Sequence, residues 1–306
     1  MTKDKQHINV PHLRFPEFTG EWKKVLLGQI ANITKGNGIS KEQLSDQGTP
    51  CILYGELYTK YKSEIINEIY SKTTLNSSAL VKSQANDVII PCSGETAIDI
   101  STARCVPYND VLLGGDLNII RLKSQNGGFF AYQLNGVRKH DIACIAQGVS
   151  VVHLYGENLK RIKVCYPSIE EQRKITSLLS LIDERIATQN KIIKKLETLI
   201  KALSHKLTTQ KKPNTLLKNC LVCHSSTLLE SHVKGKGQYP VFGATGICGY
   251  TDKSDISGDS ILIIKDGAGV GTTTYATGKY SVIGTLNYLQ STQEHYSLLY
   301  IYYSLK

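Results

Sequence analysis

Long apolar runs are missing from the 306-residue sequence, although 41% of its residues are hydrophobic. No run approaches the ~18 apolar residues that a membrane-spanning helix needs. The opening stretch, MTKDKQHINVPHLRFPEF, is polar and lacks the apolar centre of a signal peptide. The sequence therefore predicts a protein that stays in the cytoplasm.

Methionine is almost absent, since Met1 is the only one. The stretch CLVCH (220–224) has the pattern of covalent haem attachment, but neither an export signal nor a methionine ligand accompanies it. A zinc site is not expected either, because no second Cys-x-x-Cys exists and His232 lies at no typical spacing. In a reducing compartment, the eight cysteines are interpreted as small buried residues rather than disulfide partners.

Catalytic motifs are also missing. DGAGVG (266–271) lacks the Lys-Ser/Thr pair of a phosphate-binding loop, and a strand-rich region follows it instead of a helix. The chain has no Asn-Pro-Pro-aromatic sequence, so we do not expect it to methylate adenine itself. The acidic residues form no nuclease-like cluster. We therefore expect no catalytic residue and no metal or cofactor bound by this chain; methyl transfer by the isolated chain would overturn this.

Basic residues outnumber acidic ones, and the net charge of +10 favours a polyanionic partner. Residues 167–212 carry 10 basic and 5 acidic residues, so half of the excess lies there. A solvated helix face would give the same composition, and charge alone does not separate the two interpretations.

The stretch 168–207 contains no Gly or Pro and is predicted to be one helix. Ser168 and Glu171 form a capping-box pattern at its start, and Pro213 marks the stop. Its apolar residues recur in steps of four and three, which requires a helical partner; at ~1.5 Å per residue the helix is about 60 Å long. The predicted subunit-binding positions are Ile175, Leu178, Leu179, Ile182, Ile186, Gln189, Ile192, Ile193, Leu196, Leu199, Ile200 and Leu203.

The segments before and after this helix are weakly similar, with the same order of motifs. GTPCILYG (48–55) resembles GQYPVFG (237–243), and NDVIIPCSGET (86–96) resembles GDSILIIKDGAGVG (258–271). GDLNIIRL (115–122) resembles GTLNYLQS (284–291), and YQL (132–134) resembles YSL (303–305). Four ordered matches favour a duplication. At the final offset of 171, the second copy has no counterpart of residues 136–207 in this sequence.

The predicted organisation has four segments: an N-terminal arm (1–20), a first globular domain (21–166), a central coiled-coil spacer helix (167–212) and an incomplete second domain (213–306). The fold class is α+β, with two similar mixed α/β domains joined by the long helix. Short helices are expected within the domains, for example over WKKVLLGQIAN (22–32).

Several motifs resemble the specificity subunit of type I restriction–modification enzymes. The opening PHLRFPEFTGEWKKVLLGQIANITKG resembles that family's entry into its first target-recognition domain. GVSVVHLYGENLKRIKVCYPSIEEQRKITSLLSLIDERI (148–186) resembles its junction between recognition domain and central helix. YPVFGATGICGYTD and ILIIKDGAGVG resemble motifs of the second recognition domain.

The resemblance implies a non-catalytic subunit that reads a bipartite double-stranded DNA site, with one half for each recognition domain. It also implies partners: modification subunits that methylate adenine with S-adenosylmethionine, and a restriction subunit that acts as motor and nuclease. The family has a second central helix, and this sequence departs from that pattern. The unpaired helix could form a homodimer with a second copy, or depend on the modification subunits.

Candidate DNA-binding residues are polar or aromatic side chains in glycine-flexed or tyrosine-rich segments, because such groups contact phosphates and base edges. In the first domain they are Lys35, Asn37, Tyr54, Tyr58, Lys60, Tyr61, Lys62, Ser93, Glu95, Thr96, Gln147 and Ser150. In the second domain they are Lys234, Lys236, Tyr239, Lys265, Asp266 and Thr272. Each alone is also typical of an ordinary surface loop. The alternative function is a non-enzymatic coiled-coil scaffold with two β-rich ligand-binding modules.

Overall fold

The computed structural model describes residues 11, 13–209, 215–267 and 269–305. Most of the predicted N-terminal arm, residues 1–10 and 12, and the predicted helix stop at Pro213 lie outside the described residues. The chain divides into two compact units, residues 1–188 (unit 1) and 189–306 (unit 2), and the division falls inside the long helix. The four segments defined from the sequence remain a prediction.

Unit 1 is built from short strands and short helices. Its strands are β1 (Lys23–Leu26), β2 (Ala31–Lys35), β3 (Leu44–Ser45), β4 (Thr49–Ile52), β5 (Ser71–Thr73), β6 (Asp87–Pro91), β7 (Ser93–Gly94), β8 (Arg104–Val106), β9 (Leu112–Leu113), β10 (Leu117–Leu122), β11 (Val152–His153) and β12 (Lys163–Tyr166). Its helices are α1 (Leu27–Ile30), α2 (Glu56–Thr59), α3 (Ala97–Ile100), α4 (Gly127–Asn135), α5 (Lys139–Ile145) and α6 (Gly156–Leu159), with single 3-10 turns at Lys41–Gln43 and Ser77–Ala79.

The centre of unit 1 is an antiparallel sheet in the order β2-β10-β6-β8. Every residue of β6 is buried, because this strand lies inside the sheet and has apolar clusters on both faces. A second sheet has the order β3-β5-β4-β9, in which β4 and β9 are parallel. Two-stranded pairs of β1 with β12 and of β7 with β11 complete the unit.

The helix expected over residues 22–32 is wrong for most of its length. Residues 23–26 form β1, and only Leu27–Ile30 make a helical turn before β2 begins. The physical reason is tertiary pairing: β1 is antiparallel to β12, with Val25 opposite Val164. Local helix propensity is a weak preference that such pairing overrides.

The long helix α7 (Ile169–Thr208) confirms the predicted helix to within one residue at each end. Only half of the predicted capping box is present. The Ser168 hydroxyl accepts a 3.4 Å hydrogen bond from the Glu171 amide. The Glu171 carboxylate instead accepts two bonds, of 2.7 and 2.6 Å, from the Arg14 guanidinium. Glu171 is 1% exposed, and a buried carboxylate requires a charged partner rather than a backbone amide alone.

Unit 2 contains the end of α7 and a second set of strands. These are β13 (Leu221–Ser225), β14 (Tyr239–Gly243), β15 (Gly246–Thr251), β16 (Ile256–Ser257), β17 (Ser260–Ile264), β18 (Thr273–Ala276), β19 (Lys279–Val282) and β20 (Leu286–Ser291). Its short helices are α8 (Leu217–Cys220) and α9 (Leu298–Leu305), and a 3-10 turn covers Glu230–His232. The strands form two sheets, β13-β20-β17-β18 and β15-β14-β19-β16.

The two units share a topology that matches the sequence repeat. The antiparallel order β2-β10-β6-β8 in unit 1 corresponds to β13-β20-β17-β18 in unit 2. The parallel pair of β4 with β9 corresponds to β14 with β19. Three of the four motif pairs occupy equivalent strands, with Asn118 on β10 and Asn287 on β20, and the fourth pair lies on the helices α4 and α9. The units differ at the sheet margin, because β3 pairs with β5 whereas β16 pairs with β19.

Within the part of the chain that the structure describes, no helix combines the length and the apolar content needed to cross a lipid bilayer.

Candidate nucleic-acid interface

One edge of unit 1, where β2, β4 and β6 end, gathers many of the predicted DNA-binding residues. Lys35 is the last residue of β2, Tyr54 follows β4, and Ser93 begins β7 directly after β6. The loops at this edge are tied together by backbone bonds, among them a 2.7 Å bond from the Cys92 amide to the Asp116 carbonyl. We call this surface the polar edge; its accessible members are Lys35, Asn37, Tyr54, Tyr58, Glu95, Thr96, Gln147 and Ser150.

Gln147 and Ser150 reach the polar edge through a tight hairpin. The Gln147 amide donates to the His153 carbonyl at 2.9 Å, and the His153 amide donates back at 2.7 Å. His153 on β11 lies opposite Ser93 on β7, which places the hairpin beside the loop that carries Glu95 and Thr96. Residues about fifty positions apart in the sequence are thus neighbours.

The two tyrosines of the polar edge also belong to this neighbourhood. The Tyr58 hydroxyl lies 3.9 Å from the position that a Cβ on Gly94 would occupy. Burial raises the pKa of Tyr58, and the nearby Tyr54, Asp99 and Glu95 raise it further. Tyr58 therefore stays a neutral phenol that can donate a hydrogen bond at physiological pH.

Three predicted residues of unit 1 have structural partners or are buried. The Lys60 ammonium lies 2.6 Å from the buried Glu56 carboxylate, to which Ser71 also donates a hydrogen bond. Tyr61 lies in the apolar core, and Ser93 is buried within β7. Lys62 is exposed. Lys60 therefore has a structural role beside any contact with DNA, and Tyr61 and Ser93 are not accessible side chains of the polar edge.

The candidates of unit 2 separate into two groups. Lys265, Asp266 and Thr272 lie in the turn between β17 and β18, near the end of β14 at Gly243. Lys234, Lys236 and Tyr239 lie at or before the start of β14, about four residues or ~13 Å along the strand. The structure does not bring the six residues together.

Lys234 has a charged partner that is not one of the predicted DNA-binding residues. Its ammonium lies 2.8 Å from the Asp252 carboxylate, and this ion pair lowers the pKa of Asp252. Both side chains are exposed, so the pair contributes little to stability and leaves Lys234 able to turn towards a phosphate.

The apolar stripe of α7 is largely exposed in the chain by itself. Ile182 is 46% exposed and Ile186 is 54% exposed. Exposed positions of the stripe continue with Gln189, Ile192, Ile193, Leu196, Leu199, Ile200 and Leu203. Only Ile175 and Leu179 are half-buried, and together with Leu178, Leu13 and Trp22 they line an apolar cleft of about 330 Å³. A continuous exposed apolar surface of this kind is typical of protein interaction sites.

In unit 1, α7 contacts the globular part through polar residues. The Thr176 hydroxyl donates to the Asn126 side chain at 2.8 Å, and the Gln172 side chain accepts from the Asn126 amide at 3.0 Å. About two turns further on, the Asp183 carboxylate accepts a 2.6 Å bond from Tyr132. Polar residues thus make several of the contacts between α7 and unit 1, and Ile175 of the stripe also packs against the unit 1 core. From Ile182 onward the stripe is exposed.

The contacts that fix the base of α7 are not apparent from the sequence. Arg14 pairs with Glu171, and Lys174 pairs with Glu17 while its ammonium lies 4.5 Å from the centroid of the Phe15 ring. No spacing rule predicts these pairs, because about 157 residues separate the partners. The charged residues Arg14 and Glu17 in PHLRFPEF could be matched to their partners on α7 only once the fold was known.

The interpretation of the eight cysteines as buried residues is confirmed for four and wrong for three: Cys51, Cys92, Cys105 and Cys220 are buried, whereas Cys144, Cys223 and Cys248 are exposed. Cys220 is buried, but Cys223 of the same CLVCH stretch is exposed on β13, so the prediction that both lie in the core is wrong. His224 stacks against Tyr288, with ring centroids 4.9 Å apart. The cause is that Cys223 lies on the first strand of the sheet, where one face is open to solvent.

Solved structures with a similar fold come from type I restriction–modification systems. The S subunit from M. genitalium superposes with a TM-score of 0.70 and 18% identity, covering 93% of this chain and 76% of that one. The HsdS subunit from Thermoanaerobacter tengcongensis gives a TM-score of 0.44 and 16% identity, covering 96% of this chain and 80% of that one. The first likeness confirms the predicted fold class of two similar mixed α/β parts and a long central helix.

The sequence itself matches a family model over residues 19–198, which is more than half of the 306 residues. That segment includes the whole polar edge of unit 1 and the first three-quarters of α7. The family is one of specificity domains rather than of methyltransferases or nucleases, as the sequence motifs predicted. The chain belongs to the type I restriction modification DNA specificity domain family.

Proposed function

We propose that this chain reads a bipartite DNA sequence, with one half for each unit, and carries modification subunits on the apolar stripe of α7. The observation that carries the proposal is that different residues of α7 contact unit 1 and remain exposed. Its polar residues Gln172, Thr176 and Asp183 hold unit 1, while the stripe stays exposed along the remaining turns. An apolar surface of that length is stabilised by burial against a partner of complementary shape.

The polar edge supports the DNA-reading part of the proposal. Its side chains include the two kinds that base reading uses: an ammonium for phosphate or guanine, and amides for adenine. Lys35, Asn37 and Gln147 are exposed, and the loops around them are held by backbone bonds. A fixed arrangement of donors and acceptors loses little entropy when DNA binds.

The partners follow from the same proposal. The chain binds double-stranded DNA and modification subunits, which supply S-adenosylmethionine and methylate adenine, and the assembly recruits the restriction subunit in the cytoplasm. The stripe of α7 also suits a homodimer, since an apolar seam with one interior Gln189 can pair with a second copy. Sedimentation of the chain with and without the modification subunit distinguishes the two.

The test of DNA reading is a genome-wide map of methylated adenines in cells with and without this chain, expressed together with the modification subunit. We expect methylation at one bipartite sequence that disappears when the chain is absent. Unchanged methylation would contradict the proposal. A chain that binds the modification subunit without any effect on methylation or on duplex binding would instead be a coiled-coil scaffold.

The test of docking is a substitution on the stripe. Ile186→Lys places a charge on the proposed interface, so we expect loss of co-purification with the modification subunit and no change in the melting temperature of the isolated chain. Lys191→Gln, an exposed position on another face of α7, is the matched control and should leave co-purification intact. Equal co-purification of both variants would argue against the stripe as the docking surface.

A further inference from the structure

The hairpin 147–153 has an apolar tip that the polar edge does not explain. Val149 is 97% exposed, and Val151 is 52% exposed. Single exposed apolar residues are common, but here two valines lie on one short hairpin beside polar candidates for base reading. The hairpin therefore presents methyl groups outward at the place where unit 1 is proposed to meet DNA.

Two backbone hydrogen bonds and a glycine conformation constrain the hairpin. Reciprocal bonds between Gln147 and His153 close it, and Gly148 has a φ of +128°, which favours glycine. A Cβ on Gly148 would lie 2.1 Å from the Val151 carbonyl oxygen, so no other residue fits without movement. These features constrain the backbone on both sides of the tip that carries Val149.

The base of the hairpin is also fixed to the sheet. The Leu154 amide donates to the Cys92 carbonyl at 2.7 Å, and the Leu154 carbonyl accepts a 2.9 Å bond from the buried Asn118 side chain. Asn118 lies opposite Lys35 in the pairing of β10 with β2. The base of the hairpin is therefore held near Lys35, the residue proposed to contact phosphate.

Unit 2 has a turn of the same character. The Gly271 amide donates to the Ile264 carbonyl at 2.9 Å, Gly271 has a φ of +87°, and the adjacent Val270 is 62% exposed. Lys265, Asp266 and Thr272 flank this turn. An outward valine on a glycine-closed turn beside polar candidates thus occurs in both units.

We propose that the hairpin 147–153 enters the major groove and that Val149 contacts the C5-methyl group of a thymine. This contact deepens the proposed function and rests on it. The thymine methyl is the one apolar group that a base pair presents in the major groove, so an apolar side chain distinguishes T·A there from the other pairs. Neighbouring Gln147 and Glu95 have the chemistry to contact the bases beside it.

The test uses the full chain in complex with the modification subunit and a duplex that carries its mapped sequence. Each thymine of the unit 1 half-site is replaced in turn by uracil, which differs only by the absent methyl group. At one position we expect about fourfold weaker binding, the effect of removing one buried methyl group. Val149→Ala should remove that position's preference for thymine, so that both duplexes bind alike.

The control is Val137→Ala, because Val137 is also largely exposed in unit 1, at 72%, but lies outside the hairpin. It should keep the fourfold preference, and both variants should melt like the parent chain, since neither side chain is buried. No binding to any duplex by the parent complex would refute the proposed function itself. Binding without sensitivity to uracil, sensitivity that survives Val149→Ala, or a half-site without any A·T pair would each overturn only the thymine contact.

Discussion

The phenol of Tyr132 on α4 donates a 2.6 Å hydrogen bond to the Asp183 carboxylate on α7. This bond joins the helix to unit 1 about two turns beyond the contact of Thr176 with Asn126. The carboxylate of Glu64 is also close. Burial raises the pKa of Glu64 against the lowering effect of Arg104, 3.8 Å away, and the Asp183 charge raises it further. Tyr132 thus stabilises one of two neighbouring carboxylates.

Removal of the Tyr132 hydroxyl group tests how much this hydrogen bond stabilises the packing of α7 on unit 1. Tyr132→Phe keeps the ring and deletes the donor, so we expect unit 1 to lose about 2 kcal/mol of unfolding free energy, as for a hydrogen bond to a charged group. Urea unfolding measures the change. Tyr108→Phe, which deletes a hydroxyl bonded to the Asn67 carbonyl at an exposed site, is the matched control and should cost less. Equal losses of unfolding free energy in the two variants would show that the bond to Asp183 stabilises the fold no more than an exposed hydrogen bond does.

The same residue predicts how stability depends on pH. Burial, and then the bond to Asp183, raise the pKa of Tyr132 above its usual value. A raised pKa in the folded state means that the contribution is fully present below the unfolded value of about 10 and is lost as the pH rises above it. The urea midpoint of the parent chain should therefore fall more steeply between pH 9 and 11 than that of Tyr132→Phe. Parallel curves would contradict the prediction.

The pair of Arg14 with Glu171 predicts a large effect from a residue near the start of the chain. Arg14→Ala leaves a buried carboxylate without its partner, so unit 1 should lose stability, which urea unfolding measures as a lower midpoint. Arg14→Met combined with Glu171→Leu removes both charges and should restore most of the loss. A double variant as unstable as Arg14→Ala would mean that packing, not the unpaired charge, explains the cost.

Substitution of the hairpin glycine, Gly148, should weaken DNA binding without a defect in folding. Gly148→Ala forces a Cβ against the Val151 carbonyl and distorts the hairpin, so we expect about tenfold weaker binding of the mapped sequence. The melting temperature should change little, because the hairpin tip is outside the core. Gly20→Ala is the control, since a Cβ there meets no atom within 4 Å. Equal affinities of the two variants would exclude the hairpin from the interface.

We expect substitutions of the unit 1 lysines to differ in their effects: all three should weaken DNA binding, and only that of Lys60 should also reduce stability. Lys35→Ala and Lys62→Ala should weaken binding to all duplexes and reduce the salt slope by about one each. Lys60→Ala should in addition cost about 1 kcal/mol of stability, because it removes the partner of buried Glu56 while Lys60 itself is half exposed. Affinity measured between 50 and 200 mM salt, roughly the range over which such contacts are lost, checks the slope. An unchanged slope for Lys35 and Lys62 would remove them from the set of phosphate contacts.

The residues that sequence analysis placed well are those governed by local rules. The helix over 169–208 follows from apolar residues at steps of three and four, a period that only an α-helix brings onto one face. The repeat was visible because equivalent strands such as β10 and β20 share the Leu-Asn pair, whose leucines Leu117 and Leu286 are both buried. Fold class, the exposed stripe and the family motifs all derive from such patterns.

The long amphipathic helix, the duplicated α+β units and the segments that carry polar side chains could be predicted, because periodicity, repeated motifs and residue type are visible along the chain. The tertiary structure, and no local pattern, buries Tyr61, pairs Lys60 with Glu56 and separates the candidates of unit 2 into two groups. It also decided that β1 is a strand and that Arg14 reaches Glu171. These outcomes depend on pairing between distant segments, and the free energy of such pairing exceeds the local preferences that a sequence displays.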